Sequence, residues 1–313
     1  MTPAFLHKPV LAEEIVAFLR PAVGRIIMDG TLGGGGHSGL LLAAGSSVIG
    51  FDRDPEALAH VQRILGPHGA RFTALEGNFE DAPERLSSIG IMKLDGIILD
   101  LGVSSHQLDT AERGFSFQRE GPLDMRMGTT GPTAADLVNT ASAEELAAIF
   151  RDFGDESRAM NYASRIVRAR EKKPLESTTE LADLIAAGRK GPRHPATRVF
   201  QALRIAVNDE IGSLKRALPR LASLLAPGGR MAVITFHSLE DRLAKHFFRR
   251  HSLVEIDHPT WPAPRPNPDR LFKILTPRSV TASERELTEN PRSRSARLRV
   301  VERLANVQPE VRP

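Results

Sequence analysis

Four consecutive glycines, Gly33–Gly36, stand where a short apolar segment ends and a helical pattern begins, and this junction limits the chain more than any other feature. Glycines at such a place let backbone pass close to a ligand and aim N–H groups at it from a helix N-terminus. The apolar segment is Arg25–Asp29, and the helical pattern opens near His37. The same alternation continues. Val48–Asp52, Phe72–Glu76 and Gly96–Asp100 read as strands, with amphipathic stretches starting near Pro55 and Asp81 between them. That is the pattern of a doubly wound α/β fold, a parallel sheet with crossover helices.

The regularity stops after Asp100. The next convincing strand, Met231–Phe236, arrives about 130 residues later, whereas a crossover needs a dozen residues or a few dozen. The intervening chain carries apolar residues at three- and four-residue spacing over Ala134–Phe150, Ser157–Lys172 and Thr178–Ala187, which predicts helices. The expected organisation is a core segment over 1–104, an inserted helical subdomain over 105–196 for substrate recognition, and a second core segment over 197–313 that opens with one helix, Thr197–Leu225. A helix over His237–Arg250 is expected to start with a capping box of Ser238 and Asp241. His258–Pro268 holds five prolines in eleven residues and reads as an extended surface loop. Phe272–Leu275 and Ala296–Glu302 would close the sheet at seven strands.

Strand ends carry the chemistry in such a sheet. Gly34, Gly36 and Gly39 match G-x-G-x-x-G, but four glycines in a row satisfy many patterns. Asp52, ending the second strand, offers a carboxylate to the two hydroxyls of a ribose, and Asp54, before Pro55, suits a helix N-cap. Three features favour S-adenosylmethionine over a nicotinamide dinucleotide. Asp29 ends the first strand, where a carboxylate would repel pyrophosphate. Phe79 follows the third strand and can pack on adenine. Asp100 opens a polar loop, Asp100–Gln107, beside the expected position of the reactive methyl. No Gly-Lys-Ser/Thr follows the glycines, so a P-loop is excluded. Two other classes share part of this pattern: a nicotinamide-dependent oxidoreductase, and a non-catalytic RNA-binding or assembly factor.

Several long motifs run nearly end to end: His7-Lys-Pro-Val-Leu11, Asp29–Ser38, Asp100-Leu-Gly-Val-Ser-Ser-His-Gln-Leu-Asp109, Arg113-Gly-Phe-Ser-Phe117, Gly121–Met127, His194-Pro-Ala-Thr-Arg198, Phe236–Arg242 and Asn290-Pro-Arg-Ser-Arg294. With them the chain resembles the ribosomal small-subunit RNA cytosine-N4 methyltransferases, a bacterial and organellar family. The resemblance implies a Rossmann-like class I methyltransferase sheet, S-adenosylmethionine as cofactor, and N4 of a cytidine in the decoding region of 16S ribosomal RNA as target. It implies Gly35, Gly36, His37, Asp52, Phe79, Asp100 and Gln107 as cofactor contacts, with Asp29 beside them. His106 departs from the family, where proline is common.

The proton leaving cytosine N4 has candidate acceptors in the Asp100 carboxylate, the loop carbonyls and the Ser104 and Ser105 hydroxyls; no single general base stands out. Methylation at carbon-5 normally needs a cysteine nucleophile, and the chain has none. Phe115 and Phe117 are either stacking partners for an extruded base or core of the insert. From Ser164 to Arg198 nine Lys or Arg oppose four acids, more than the net +4 of the whole chain. This window, with Arg168, Arg170, Lys172 and Lys173, is either a polyanion-binding surface or a solvated helix face. Arg292 and Arg294 join it as candidate RNA contacts, although the alternation through Arg297 and Arg299 also fits a solvated strand face. The capping reading of the His237–His246 region leaves no metal expected. No apolar run is long enough to span a bilayer and no signal peptide is evident, so a cytoplasmic enzyme without membrane attachment is expected.

Overall fold

The computed structural model describes residues 9–188 and 194–305. They pack as two compact units, one of residues 103–212 and one of residues 9–102 with 213–305.

The second unit is built on nine strands: β1 (Ile26–Asp29), β2 (Ser47–Asp52), β3 (Phe72–Glu76), β4 (Leu94–Asp100), β5 (Leu225–Thr235), β6 (Glu255–Ile256), β7 (Arg265–Pro266), β8 (Phe272–Ile274) and β9 (Arg297–Arg303). Seven form one sheet in the order β3-β2-β1-β4-β5-β9-β8. The first five run parallel, and β9 is the reversed strand, antiparallel both to β5 and to β8. Parallel strands are covered on both faces and so read as nearly continuous apolar runs. In β4 the alternation sorts the residues by face. Ile97 and Leu99 join Met28, Leu218, Leu221 and Phe248 in one core layer, while Ile98 joins Ile27, Leu41, Val61 and Ile234 in the other. Helices α1 (Ala12–Leu19), α2 (Gly36–Ala43) and α3 (Pro55–Leu65) cover the second face, and α4 (Ala82–Ser88) contributes to the first. The doubly wound sheet is thus as expected, and its strand order reverses between β1 and β4. Ligands of such sheets bind at that switch point, beyond the carboxyl ends of the strands.

The first unit is helical: α5 (Ser105–Asp109), α6 (Ala134–Thr140), α7 (Ala143–Gly154), α8 (Ala159–Arg170), α9 (Thr178–Ala186) and α10 (Ala196–Asn208). Leu146, Phe150, Ile166, Leu181 and Leu203 meet in a core of their own. Three expectations are corrected here. The single helix over Ala134–Phe150 is two, because Ser142 caps α7 in a box with Glu145. The single helix over Thr197–Leu225 is also two, broken at Asp209, whose φ of 48° ends α10 before α11 (Glu210–Leu224). And α10, expected in the core segment, buries Val199, Phe200 and Leu203 in the helical core, so the insert extends through residue 212.

In the sheet unit, α12 (Ser238–Arg250) has His237 at its N-cap position, one residue earlier than the expected Ser238, and Glu240, not Asp241, accepts the Phe236 and His237 N–H groups. Asp241 instead grips Arg299 with two hydrogen bonds of 2.7 and 3.0 Å. The proline-rich loop carries the short β6–β7 pair. Helix α13 (Glu284–Glu289) precedes β9 and holds the N-terminus of α1, since Glu286 accepts from the Leu11 N–H at 2.7 Å. No helix of the described residues is long and apolar enough to cross a membrane.

Candidate active site

The carboxyl ends of β1, β2 and β4 each finish in an aspartate: Asp29, Asp52 and Asp100. Asp29 is 2% exposed. Its Oδ2 accepts from Ser38 Oγ at 2.7 Å and its Oδ1 from the Thr31 N–H at 3.2 Å. Asp29 therefore ties the start of the glycine loop to α2. Burial pushes its carboxyl up, against the pull of His37 and the Ser38 hydroxyl.

Two of the glycines have distinct reasons to be glycine. Gly35 caps α2 at φ 76°, and a Cβ there would press on Val61 and Leu65 of α3 at 3.0 Å. At Gly36 a Cβ would meet the Pro9 ring at 3.2–3.3 Å. Both positions let the loop lie close against its own scaffold. His37, in the first turn of α2, is 6% exposed, with Nε2 2.9 Å from the Val10 carbonyl oxygen and Nδ1 3.6 Å from Asp100 Oδ2.

Asp52 accepts the Gly33 N–H on Oδ2 at 2.7 Å and the Asp54 N–H on Oδ1 at 2.9 Å. Asp54 caps α3 through the Glu56 N–H, as its place before Pro55 predicts. A carboxylate has about four acceptor positions, so Asp52 retains capacity for two hydroxyls. Desolvation by burial, only partly offset by these N–H groups, pushes Asp52 up to about 6. Phe79 follows β3 and flanks Gly30, where an added Cβ would lie 3.0 Å from the Phe79 Cβ.

Asp100 receives the Thr31 side chain: its backbone N–H donates to Thr31 Oγ1 at 2.6 Å, stitching the β1 loop to the end of β4. Its Oδ1 is buried without a hydrogen-bond partner. Burial raises Asp100 to about 6; Asp29 and Glu240 add to the rise and His37 opposes it. Three carboxylates raised by burial around one loop make a site short of positive charge. A ligand with a sulfonium and an ammonium supplies that charge, whereas a pyrophosphate would meet repulsion.

In the helical unit the expected loop residues are occupied locally. Ser104 caps α5 by accepting the Gln107 N–H at 3.2 Å, and Gln107 Oε1 accepts the Ser104 N–H at 3.0 Å. Gln107, 5% exposed, thus braces the loop, and the Ser104 hydroxyl serves as a helix cap. Ser105 is the first residue of α5. Phe115 is buried in the helical core, where it packs with its neighbours. Phe117 is half-buried and packs edge-on against Phe200 at 4.8 Å between ring centroids, with His194 at 4.7 Å.

The basic window divides. Arg170 donates to the Val138 carbonyl at 2.7 Å, closing the end of α6. Arg198 binds the Asp155 carbonyl, and Lys173 pairs with Glu180 at 3.6 Å. Arg168 and Lys172 are exposed. Arg189, Lys190 and Arg193 lie outside the described residues, as do His7 and Lys8. In the sheet unit Arg292, Arg294 and Arg297 are exposed, but Arg299 is buried on Asp241, so the strand face is not uniformly solvated. Sequence reasoning missed Thr31, Ser38 and Glu240. Their residue types are ordinary, and their roles depend on partners brought together by the fold.

A family model described as the MraW methylase family matches residues 4–304. A relative from Anaeromyxobacter sp. (strain K), named ribosomal RNA small subunit methyltransferase H, is 50% identical over 309 residues, covering 97% of this chain and 100% of its own length. Relatives of the same name from Pelobacter propionicus and Deinococcus radiodurans are 50% and 48% identical, covering 96% and 97% of this chain and 99% and 91% of their own. Among solved structures, an rRNA methylase from Streptococcus thermophilus aligns over 97% of this chain and 99% of its own at 11% identity and a TM-score of 0.43, too distant to bear on the reaction.

Proposed function

The chain belongs to the MraW methylase family, and on that premise we propose that it transfers a methyl group from S-adenosylmethionine to N4 of a cytidine in the decoding region of 16S ribosomal RNA, working in the cytoplasm. The observation that carries this reading is the set of raised carboxylates at the switch point, with Asp100 Oδ1 buried and unpartnered.

S-adenosylmethionine, when bound, supplies a methyl group on a positively charged sulfur. Asp52 accepts its ribose hydroxyls, Phe79 packs on adenine, and the Gly33–His37 turn lines the loop side. Asp29 contributes charge from beneath. Cytosine N4 is a poor nucleophile because its lone pair is delocalised into the ring, so the enzyme must orient it and receive its proton. Holding reactants in line is worth about 7–11 kcal/mol in well-oriented cases. Asp100 Oδ1 is the acceptor best suited to the N4–H, since a buried carboxylate oxygen without a donor gains most from one. The target base leaves its stack to reach the site, and flanking phosphates are held by Arg and Lys, with Arg168 and Lys172 of the helical unit and Arg292 and Arg294 of the sheet unit as contacts.

The test is methyl transfer to purified small ribosomal subunits lacking the modification. Incorporation that depends on S-adenosylmethionine and is lost in Asp100→Ala is the expected result. A chain that binds the subunit and transfers nothing would be an assembly factor. Calorimetric titration with S-adenosylmethionine and with NAD separates this reading from an oxidoreductase, which would bind the second and not the first.

A further inference from the structure

The imidazole of His37 is buried, and the chemistry above gives its ring nitrogens no part in the proton transfer. Its Nε2 lies 2.9 Å from the Val10 carbonyl oxygen. A carbonyl oxygen can only accept, so Nε2 carries a hydrogen. Its Nδ1 faces Asp100 Oδ2 at 3.6 Å. With its single proton on Nε2, a neutral ring would turn a bare lone pair toward a carboxylate, acceptor against acceptor in a buried place. A second proton between Nδ1 and Oδ2 removes that conflict. It also leaves Oδ1, which has no partner, as the carboxylate oxygen open to a donor.

The other charged groups around Asp100 come from neighbouring elements. Asp29 at the end of β1 and Glu240 in the first turn of α12 both disfavour its ionised form, and His37 from α2 favours it. Glu240 accepts the Phe236 N–H at 2.9 Å and lies 3.1 Å from His237 Nε2, while Asp29 is held by Ser38 and Thr31. His37 is thus the basic group set against two acids.

We propose that His37 is a positioning residue for methyl transfer: anchored by Val10, it carries the proton that keeps Asp100 ionised until the cytosine amine arrives. This rests on the reading that Asp100 receives the N4 proton. The step balances. The N4 lone pair forms the bond to the methyl carbon, and the carbon–sulfur bond breaks with its electron pair left on sulfur. One N4–H proton passes to Asp100 Oδ1. Asp100 and His37 then hold three protons between them, on Oδ1, Nδ1 and Nε2, until one leaves to solvent. Apo contacts of this kind are often long and tighten in the reacting complex.

Two measurements test it. In the intact protein labelled with 15N-histidine, the expected NMR signature at neutral pH is hydrogen on both ring nitrogens of His37, with Nδ1 bare in Asp100→Asn. A bare Nδ1 in the unmodified protein overturns the proposal whether or not the chain methylates RNA. In His37→Gln the side-chain amide keeps the Val10 bond and loses the titrating nitrogen. Expected are the acid limb of the pH–rate profile displaced to higher pH by about one unit, a kcat reduced about twofold near pH 7 and about tenfold well below pH 6, and donor KM within about twofold; one unit of displaced ionisation is a factor of ten where the group is mostly protonated. A purely structural His37 would leave the limb where it was, and that result sinks the idea. If activity is absent in the unmodified protein while both nitrogens are protonated, the functional reading fails and the pairing of His37 with Asp100 stands.

Discussion

Asp52 commits both carboxylate oxygens to backbone N–H groups before any ligand arrives, so it supports the glycine loop as well as offering acceptors to a ribose. Sequence reasoning separated it from the capping Asp54 but did not reveal these two backbone partners. Its asparagine and alanine variants should therefore differ. Asp52→Asn is expected to lose about 1.5–3 kcal/mol of donor binding, the worth of a charged hydrogen bond, and to lower the melting temperature the less of the two, because its one amide oxygen still serves one of the two N–H groups. Asp52→Ala should lose a similar amount and also destabilise, since the Gly33 and Asp54 N–H groups are orphaned; titration calorimetry with thermal melts checks both. A pH signature follows from Asp52 and Asp100, each raised to about 6 from an ordinary value near 3.8. Between those values the folded chain holds protons that the unfolded chain has released, so these groups make the ligand-free protein more stable as pH falls from 7 toward 4. A cationic donor has the opposite preference. Its affinity should weaken below about pH 6, and its binding near pH 6 should release protons, measurable as a buffer-dependent calorimetric enthalpy. A donor affinity flat from pH 8 to 5 would contradict the charge argument. What stayed hidden at this scale were Thr31 and Ser38, because a threonine and a serine acquire meaning from the Asp100 N–H and the Asp29 carboxylate that the fold brings to them.

Helix breaks were legible in principle. Thr133 with Asp136 and Ser142 with Glu145 are spaced as capping boxes, and both boxes form; apolar periodicity through Ala141 masked the second. The break at Asp209 was less accessible, since an aspartate in the left-handed region is uncommon. In β5 the strand begins at Leu225, ahead of the expected Met231, and its register with β4 shifts between Leu94 and Gly96. At Gly154 a Cβ would lie 2.6 Å from the Arg198 carbonyl oxygen, so α7 and α10 approach closely there, a contact no single-helix pattern reveals. The basic window shows the same limit. It is one charge run in sequence and two populations in the fold. Arg168→Ala with Lys172→Ala should weaken binding to the small subunit and flatten its salt dependence, the log–log slope falling by about 0.7–0.9 per lost phosphate contact. Arg170→Ala should instead lower stability by about 1–3 kcal/mol, because it unpairs the Val138 carbonyl at the end of α6. An unchanged salt slope in the double variant would return Arg168 and Lys172 to an ordinary solvated helix face.

Over the whole molecule, the doubly wound sheet, the long insertion and the acidic strand ends were all legible, because periodicity and glycine placement report them locally. The insert's far boundary was not, since α10 continues the amphipathic pattern and joins the helical core through packing. One expectation needs the entire chain: among 313 residues there is no cysteine. The product should therefore be N4-methylcytidine, resolved from 5-methylcytidine by chromatography and mass spectrometry of digested RNA; the carbon-5 isomer would require a nucleophile this chain lacks. The sheet order adds a matter of time. In the finished sheet β4 lies between β1 and β5, yet β5 starts 125 positions after β4 ends. At a synthesis rate of about 5–20 residues per second, β4 waits roughly 6–25 seconds on the ribosome with one edge unpaired. During that wait the helical unit, contiguous in the chain, is completed first. The sheet that will hold the cofactor is begun before the helical unit and finished after it, and the newborn chain must carry an open edge through the interval.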